Sequence, residues 1–582
     1  MLKTLAVHIK GYIKESVATP LFMILEVIME TIIPLLMATM IDDGVNKGDM
    51  GHILTTGLWM GLCALVALFA GAMGAVYGAK ASAGFAKNLR QAMFENIQTF
   101  SFANIDKYST AGLVTRMTTD VTNLQHAYQM ILRICFRAPM NLIFAMSMTL
   151  MINLKLASIY LIAIAFLAVV LLLLMTRTHK YFTQVFEKYD DLNASVQENV
   201  SSIRVVKAFV REEHEIGKFN RAATNLYKLF VKAEKMMVSV SPLMMLTIYG
   251  SMIALSWFGA NMIVGSELTT GELTTMLTYC MQILMSLMMV AFIFVMVTMS
   301  LASAQRVSGV LNEQSSLTNP ENPDFDVPNG AIDFDNVTFS YSEKSEKPVL
   351  NKIDLHIKSG ETIGIIGGTG SSKTSLVNLI GRLYDVNEGI VRVGGKDVRV
   401  YDLETLRDKV SVVLQKNVLF SGTILDNLRW GNENATEQEC IDACKTACAD
   451  DFIQNFPDGY HTKIEQGGTN VSGGQKQRLC IARALLKKPH ILILDDSTSA
   501  VDTATDAKIR KAFAEEIPDT TKIIISQRVS SVENADRIVV MNNGEIESVG
   551  THDELIQNSP IYSEIYIAQT VGNGDFDKKG EM

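Results

Sequence analysis

The pattern of apolar and polar positions changes character a little past the middle of the chain. Up to residue 311, long apolar runs alternate with charged connections. Six of these runs approach or exceed the roughly 20 residues that cross a bilayer as a helix. They cover residues 17–41, 53–78, 138–152, 156–175, 240–264 and 273–300. The third is short and is expected to begin earlier, near Ile131. Residues 312–330 are rich in Pro, Asn and Asp, with Pro320, Pro323 and Pro328, and read as a linker. Beyond it the pattern is that of a soluble domain. Residues 331–339 alternate as a strand does, and 362–366 is a short β-rich run leading into a glycine-rich loop and a helical stretch from Ser375 to Gly381. The chain thus divides into a polytopic α-helical membrane domain of six spans (1–311), a linker (312–330) and an α/β domain (331–582).

Charge adds an orientation. Lys3, Lys10 and Lys14 precede the first span, Lys80, Lys87 and Arg90 follow the second, and Arg177, Lys180 and Lys188 follow the fourth. The opposite loops are short and acidic or nearly neutral, with Asp42, Asp43 and Asp49, then Lys155, then Glu267 and Glu272. The positive-inside bias expects both termini in the cytoplasm. No small-residue cleavage site follows the N-terminus, so the first span is expected to stay in the mature protein. Residues 1–14 are expected to form an amphipathic helix on the inner membrane surface.

Composition agrees with this division. Of 31 methionines only Met541 and Met582 lie beyond residue 315, and the mean hydropathy of +0.20 is high for a wholly soluble protein. A net charge of −9 argues against nucleic acid as the main partner. The seven cysteines form no disulfide framework, which fits a cytosol-facing protein. Cys440, Cys444 and Cys448 share a helix face. Without a fourth ligand at metal spacing they read as buried helix residues.

Within the first span, Glu26 and Glu30 share a face at i, i+4. Carboxylates in hydrocarbon are costly and are expected to serve function, here contact with a cationic substrate or a wet cavity. The alternative is that both face the bundle interior. Met276, Met281, Met285, Met288, Met289, Met296 and Met299 crowd the sixth span, as a surface for varied apolar ligands or as ordinary helix packing.

The chemistry lies in the second half. The strand at 362–366 runs into Gly367, Gly368, Thr369, Gly370, Ser371, Ser372, Lys373 and Thr374, then the helix from Ser375. Strand, loop and helix is the context of a phosphate-binding loop, in which backbone N–H groups and a helix N-terminus meet phosphate oxygens. Lys373 is placed to neutralise β- and γ-phosphates and Thr374 to ligate Mg2+. Ser372 stands where the strict pattern has glycine, and a side chain there strains the loop or crowds the phosphates. An apolar run, 491–494, ends in Asp495, placed to orient Mg2+ through water.

These segments, with Gln415 after an apolar run, Val471-Ser472-Gly473-Gly474-Gln475, and Asp502 after Asp495, closely resemble the ATP-binding domain of ABC transporters. With six spans and long inner connections, the whole chain resembles a half-exporter of that family, and its second half a P-loop ABC-type nucleotide-binding domain. The resemblance implies ATP and Mg2+ as ligands and the lipid bilayer as surroundings. Tyr341 would stack on adenine, Gln415 would reach Mg2+ and the attacking water, and Ser472, Gly473, Gly474 and Gln475 would open a helix aimed at a γ-phosphate. Asp502 would lie in the loop between two ATP sites. The inner connections 79–130 and 176–239 would be helices ending in coupling segments at Phe102–Tyr108 and 209–215.

Three positions depart from the family. Asp496 stands where a catalytic glutamate is usual, Gln527 where a histidine meets the γ-phosphate, and Ser372 in place of glycine. A poor phosphate-loop site beside an intact signature resembles the degenerate-site subunit of heterodimeric bacterial multidrug exporters. That implies a second, non-identical half-transporter as partner, hydrophobic or amphipathic cargo, little ATPase activity for the chain alone and a plasma-membrane location. A lipid or peptide exporter and a nucleotide-gated regulatory or channel subunit are the alternatives.

Overall fold

The computed structural model describes residues 1–342, 347–497 and 499–570, and at some helix positions, among them Met175, Lys180 and Met299, the backbone alone. It divides into two compact units. One comprises Met1–Gln98 with Thr110–Glu313, and the other joins Thr99–Ser109 to the chain from Gln314 on.

In the first unit, six helices among the described residues are long and apolar enough to cross a membrane: Ile13–Val45, Met50–Gln98, Thr110–Ile152, Leu154–Leu174, Glu212–Val264 and Thr270–Ile293. The third helix begins at Thr110, so it runs on from the apolar stretch into the inner connection, as the resemblance implied. Its first turns carry Arg116, Asp120 and His126, which depress hydropathy without ending a helix. Hydropathy registers only what sits in hydrocarbon, whereas backbone hydrogen bonds carry a helix on into water.

Two expectations are corrected. The N-terminal helix is only Leu2–Val7, because Gly11, at φ +93, takes a left-handed turn that no helix contains. In the second inner connection the short helix is Ile203–Ala208, and residues 209–211 form the turn before the helix Glu212–Val238.

Pro34 lies inside the first span and removes a helix donor. Nearby carbonyls take hydroxyls from the sixth span instead: Tyr279 donates to the Thr31 carbonyl at 2.6 Å and Thr275 to that of Pro34 at 2.7 Å. Met276 packs in the core of this unit, while Met281, Met285, Met288 and Met289, further along the same helix, form an exposed stripe.

The second unit is built on two sheets. The larger has strand order Glu545–Gly550, Arg537–Asn542, Thr362–Gly367, Thr521–Ile525, Ile491–Asp495 and Val410–Val413, parallel except at the first pair. Its central strands are nearly continuous Ile, Leu and Val because both faces are covered. An antiparallel sheet, Leu350–Ile357, Ile332–Phe339, Glu388–Val393 and Lys396–Asp397, packs into a common core with it. Cys440 and Cys444 are fully buried among apolar side chains of this unit, in keeping with their reading as core residues.

Helix Phe102–Tyr108 belongs to this unit. Ser101 and Asn104 cap it reciprocally. Asn104 also donates to the Gln314 carbonyl at 3.0 Å and accepts from the Ser316 N–H at 3.1 Å. The Pro-rich stretch before Ile332 is tied down too: Asp324 exchanges backbone hydrogen bonds with Val400 and Asp402.

Candidate nucleotide-binding site

The central strand Thr362–Gly367 aims its end at a loop that only particular residues can form. A Cβ on Gly367 would lie 2.2 Å from the Met541 carbonyl oxygen, so glycine is required there. Gly370 follows at φ +84. Ser372 takes φ +70 and ψ +23, the left-handed region, immediately before the helix Lys373–Ile380. A β-carbon in that region costs about 1–2 kcal/mol. The strain expected from the serine is therefore present in the backbone.

Lys373 turns back over this loop. Its Nζ donates to the carbonyls of Gly367 and Gly368, both at 2.9 Å, and lies 3.0 Å from Ser371 Oγ. Burial holds its pKa below the usual lysine value, against the pull of Asp495 and Asp496. The next residue, Thr374, donates its hydroxyl to Asp495 Oδ2 at 2.9 Å.

Asp495 is 3% exposed, and burial pushes its carboxyl above the ordinary aspartate range despite the Thr374 bond. Asp496 takes φ +47, and its N–H donates to the Ile525 carbonyl at 3.0 Å. Its side chain lies near Gln415, with Lys373 and Arg528 as the nearby cations. Burial raises its pKa as well.

These groups line a cavity of about 360 Å³ walled by Thr369 through Ser375, Gln415, Asp495, Asp496, Ile525 and Gln527. The Thr374 hydroxyl, the Asp495 carboxylate and the Gln415 amide oxygen are hard donors, the kind Mg2+ takes alongside water and substrate phosphates. The residues present fit such an ion.

Other sequence-predicted residues stand apart from the cavity lining. Gly367 and Gly368 precede the lining residues and offer their carbonyls to Lys373. Tyr341 is half-exposed, its hydroxyl 2.9 Å from Ser375 Oγ and its ring against Phe339 and Tyr384. Ser472 caps the helix Gly473–Leu485, and its N–H donates to Gln475 Oε1 at 2.9 Å. A Cβ on Gly474 would lie 2.8 Å from the Ala500 carbonyl oxygen. Asp502 caps the helix Thr503–Glu516, accepting from the Thr505 N–H at 2.9 Å.

Sequence reasoning missed two side chains. Gln477 is buried and joins the helix behind Ser472 to the next loop, accepting from the Ala500 N–H at 3.0 Å. Arg528 donates to the Ser499 carbonyl at 3.2 Å and faces Asp496. Its position directly after Gln527 was the available signal.

In the first unit, Glu26 and Glu30 share one arginine partner. Arg137 Nη1 lies 2.9 Å from Glu26 Oε1, and Nη2 lies 2.8 Å from Glu30 Oε1. The arginine lies in the third span, expected to begin near Ile131, but which residues of the first span it would meet was not legible in the sequence. Gly71 makes room, since a Cβ there would sit 3.0 Å from Glu26 Oε1.

Comparison with known proteins gives the family. Residues 17–312 match the family described as "ABC transporter transmembrane region", and 350–499 match "ABC transporter". An uncharacterised ABC transporter ATP-binding protein of Mycobacterium tuberculosis (strain H37Rv) is 36% identical over 578 residues, 98% of each chain. The chain belongs to the ABC transporter family. It is an ABC exporter with membrane and ATP-binding domains on one chain, and hence a multi-pass membrane protein. An ATP-dependent lipid A-core flippase of Desulfotalea psychrophila is 33% identical over 461 residues, 79% of this ABC exporter and 80% of the flippase. A solved structure of a bacterial Atm1-family ABC exporter with ATP bound matches its fold, with a TM-score of 0.82, 23% identity and coverage of 96% of this chain and 99% of that one.

Proposed function

We propose that this chain is the degenerate-site half of a heterodimeric exporter that moves hydrophobic or amphipathic compounds out of the cell. One observation carries the reading. Ser372, Asp496 and Gln527, the three departures from the family, all line the cavity, while Ser472, Gly473, Gly474 and Gln475, which match the family, lie outside it.

In this reading the loop N–H groups and Lys373 bind ATP phosphates, Tyr341 carries the adenine, and Thr374, Asp495 and Gln415 hold Mg2+. The ion, when bound, would screen the charge of the phosphates. Asp496 occupies the base position but is one methylene shorter than glutamate. A base must come within about 2.6–3.2 Å of the proton it takes. A misplacement of about 1 Å costs on the order of 100-fold in rate. Gln527 offers a hydrogen bond but no proton. Ser472, Gly473 and Gly474 then serve the competent site of a second, different half-transporter, and Asp502 sits in the loop between the sites. Both termini lie in the cytoplasm and the domain boundaries fall at 311/312 and 330/331.

The test is ATP hydrolysis by the purified chain alone and by the purified pair. The pair is expected to be active and the single chain nearly inactive. Equal rates per chain would refute the reading. A lipid as cargo is the second reading, supported by the flippase relative, and labelled-lipid translocation in proteoliposomes distinguishes it from dye efflux.

A further inference from the structure

The loop that carries Gln527 into the cavity wall is held by a side chain 42 residues further along the chain. The helix Pro560–Thr570 buries Tyr562 completely, with its hydroxyl 2.7 Å from His552 Nδ1, and lays Ile565 and Tyr566 against the core of the second unit. Gln569 continues the face that Tyr562 and Tyr566 begin. Its amide donates to the Gln527 carbonyl at 2.8 Å and accepts from the Val529 N–H at 2.9 Å. Between those two groups Arg528 is extended, at φ −92 and ψ 127. One side-chain amide therefore bonds the backbone on both sides of Arg528, as a neighbouring strand does in a parallel ladder. The Val529 N–H opens the short helical turn Val529–Ser531 and has no acceptor within it, so Gln569 satisfies a donor that the turn leaves over.

What this clasp brackets reaches the nucleotide site. Gln527 lines the cavity. Arg528 faces Asp496 and donates to the carbonyls of Ser499 at 3.2 Å and Val501 at 3.4 Å. The residue between them, Ala500, has the carbonyl that a Cβ on Gly474 would meet at 2.8 Å. Val529 is buried in the core, so the clasp ties the loop to a close-packed support. An amide supplies the donor and the acceptor together, whereas a carboxylate only accepts.

We propose that Gln569 is a positioning residue for the γ-phosphate end of the nucleotide site, acting through the backbone it clasps around Arg528. The proposal rests on the reading of Gln527 as the residue that meets the γ-phosphate. The clasp holds Gln527 in the cavity wall, and Arg528 between Asp496 and the Ser499 and Val501 carbonyls, before nucleotide arrives. Less of the loop then has to be ordered on binding. A nucleotide without a γ-phosphate makes no use of Gln527, so the clasp favours ATP over ADP.

Photolabelling of this chain with 8-azido-ATP and 8-azido-ADP, in the assembled full-length transporter with Mg2+ on ice, tests this. In Gln569→Ala the half-saturating concentration is expected to rise about three- to tenfold for the triphosphate, and by less than about twofold for the diphosphate. Gln569→Glu keeps the acceptor for Val529 but cannot donate to the Gln527 carbonyl, and it too weakens the triphosphate selectively. If the alanine variant does not assemble, the glutamate variant carries the same test. Gln527→Ala reproduces the shift, and Gln527→Ala/Gln569→Ala is no worse than either single change. Equal weakening of both nucleotides, parent-like binding of the triphosphate or additive effects of the two alanines overturns the proposal. Gln527→Ala also separates the two readings. Unchanged triphosphate binding in that variant removes Gln527 from the γ-phosphate, and the role of Gln569 with it. Weakened binding there, with parent-like Gln569 variants, removes the role of Gln569 alone.

Discussion

The Thr374 hydroxyl donates to Asp495 Oδ2 at 2.9 Å, joining the first turn of the phosphate-loop helix to the end of a fully buried strand. This pair fixes where a cation and a phosphate could meet. Asp495→Asn keeps an acceptor for Thr374 and removes the charge, so Mg-ATP binding at this site is expected to weaken. Lys373→Ala removes charge-assisted contacts worth about 1.5–3 kcal/mol, or roughly 10- to 100-fold in affinity. Binding of a fluorescent ATP analogue reads both effects. Turnover of the pair is expected to fall only in part, since the competent site is the other one. Complete loss would contradict the asymmetry.

The acid pair also sets a pH dependence. Burial raises the pKa of Asp495 and of Asp496 in the folded domain. A folded state that binds protons more tightly than the unfolded chain loses stability as pH rises from the unfolded value, about 3.9, through the raised folded value. Without nucleotide, Asp495→Asn/Asp496→Asn is expected to melt higher than the parent at pH 7. The difference should shrink as pH falls toward 4. A constant difference across that range would show that the acids are not the cause.

Ser372 gives a backbone prediction. Glycine relieves a left-handed strain of about 1–2 kcal/mol, offset by about 0.5–1 kcal/mol of extra unfolded-state freedom. Ser372→Gly is therefore expected to leave melting unchanged or raise it slightly, and to tighten ATP binding. Ser372→Val, β-branched in the same conformation, is expected to lower both. Matched melting and ATP affinity in the two variants would rule out strain.

The signature loop is predicted to matter more than Asp496. Ser472→Ala removes a helix cap worth about 1 kcal/mol. Gly474→Ala forces the Ala500 carbonyl aside, because the new Cβ would otherwise stand 2.8 Å from it. Steady-state ATP hydrolysis by the pair is expected to drop further with either change, or with Gly473→Asp, than with Asp496→Asn. The reverse ranking would mean that the competent site lies on this chain.

Arg137 is predicted to be structural. Arg137→Leu strands Glu26 and Glu30 inside the bundle, at a cost of about 3 kcal/mol, the low end for a broken buried pair. The yield of folded transporter should fall, and adding Glu26→Gln and Glu30→Gln should restore it. No recovery in the triple variant would show that the arginine acts through something other than the acids.

The sequence by itself determined what is local or periodic. Six apolar runs, the strand–loop–helix order around Lys373, the capping pattern of Ser472 and Gln475 and the three substituted positions are all contained in short windows. Their physics, hydrocarbon thickness, anion-binding backbone and helix caps, acts over a few residues. Tertiary structure decided what depends on distant partners. Only the folded bundle brings Arg137 to Glu26 and Glu30 across more than 100 residues of chain. Only the folded sheet places Asp496 beside Gln415, and Tyr384 between Tyr341 and Phe102. Such contacts are favoured by burial and charge pairing, which depend on separation in space.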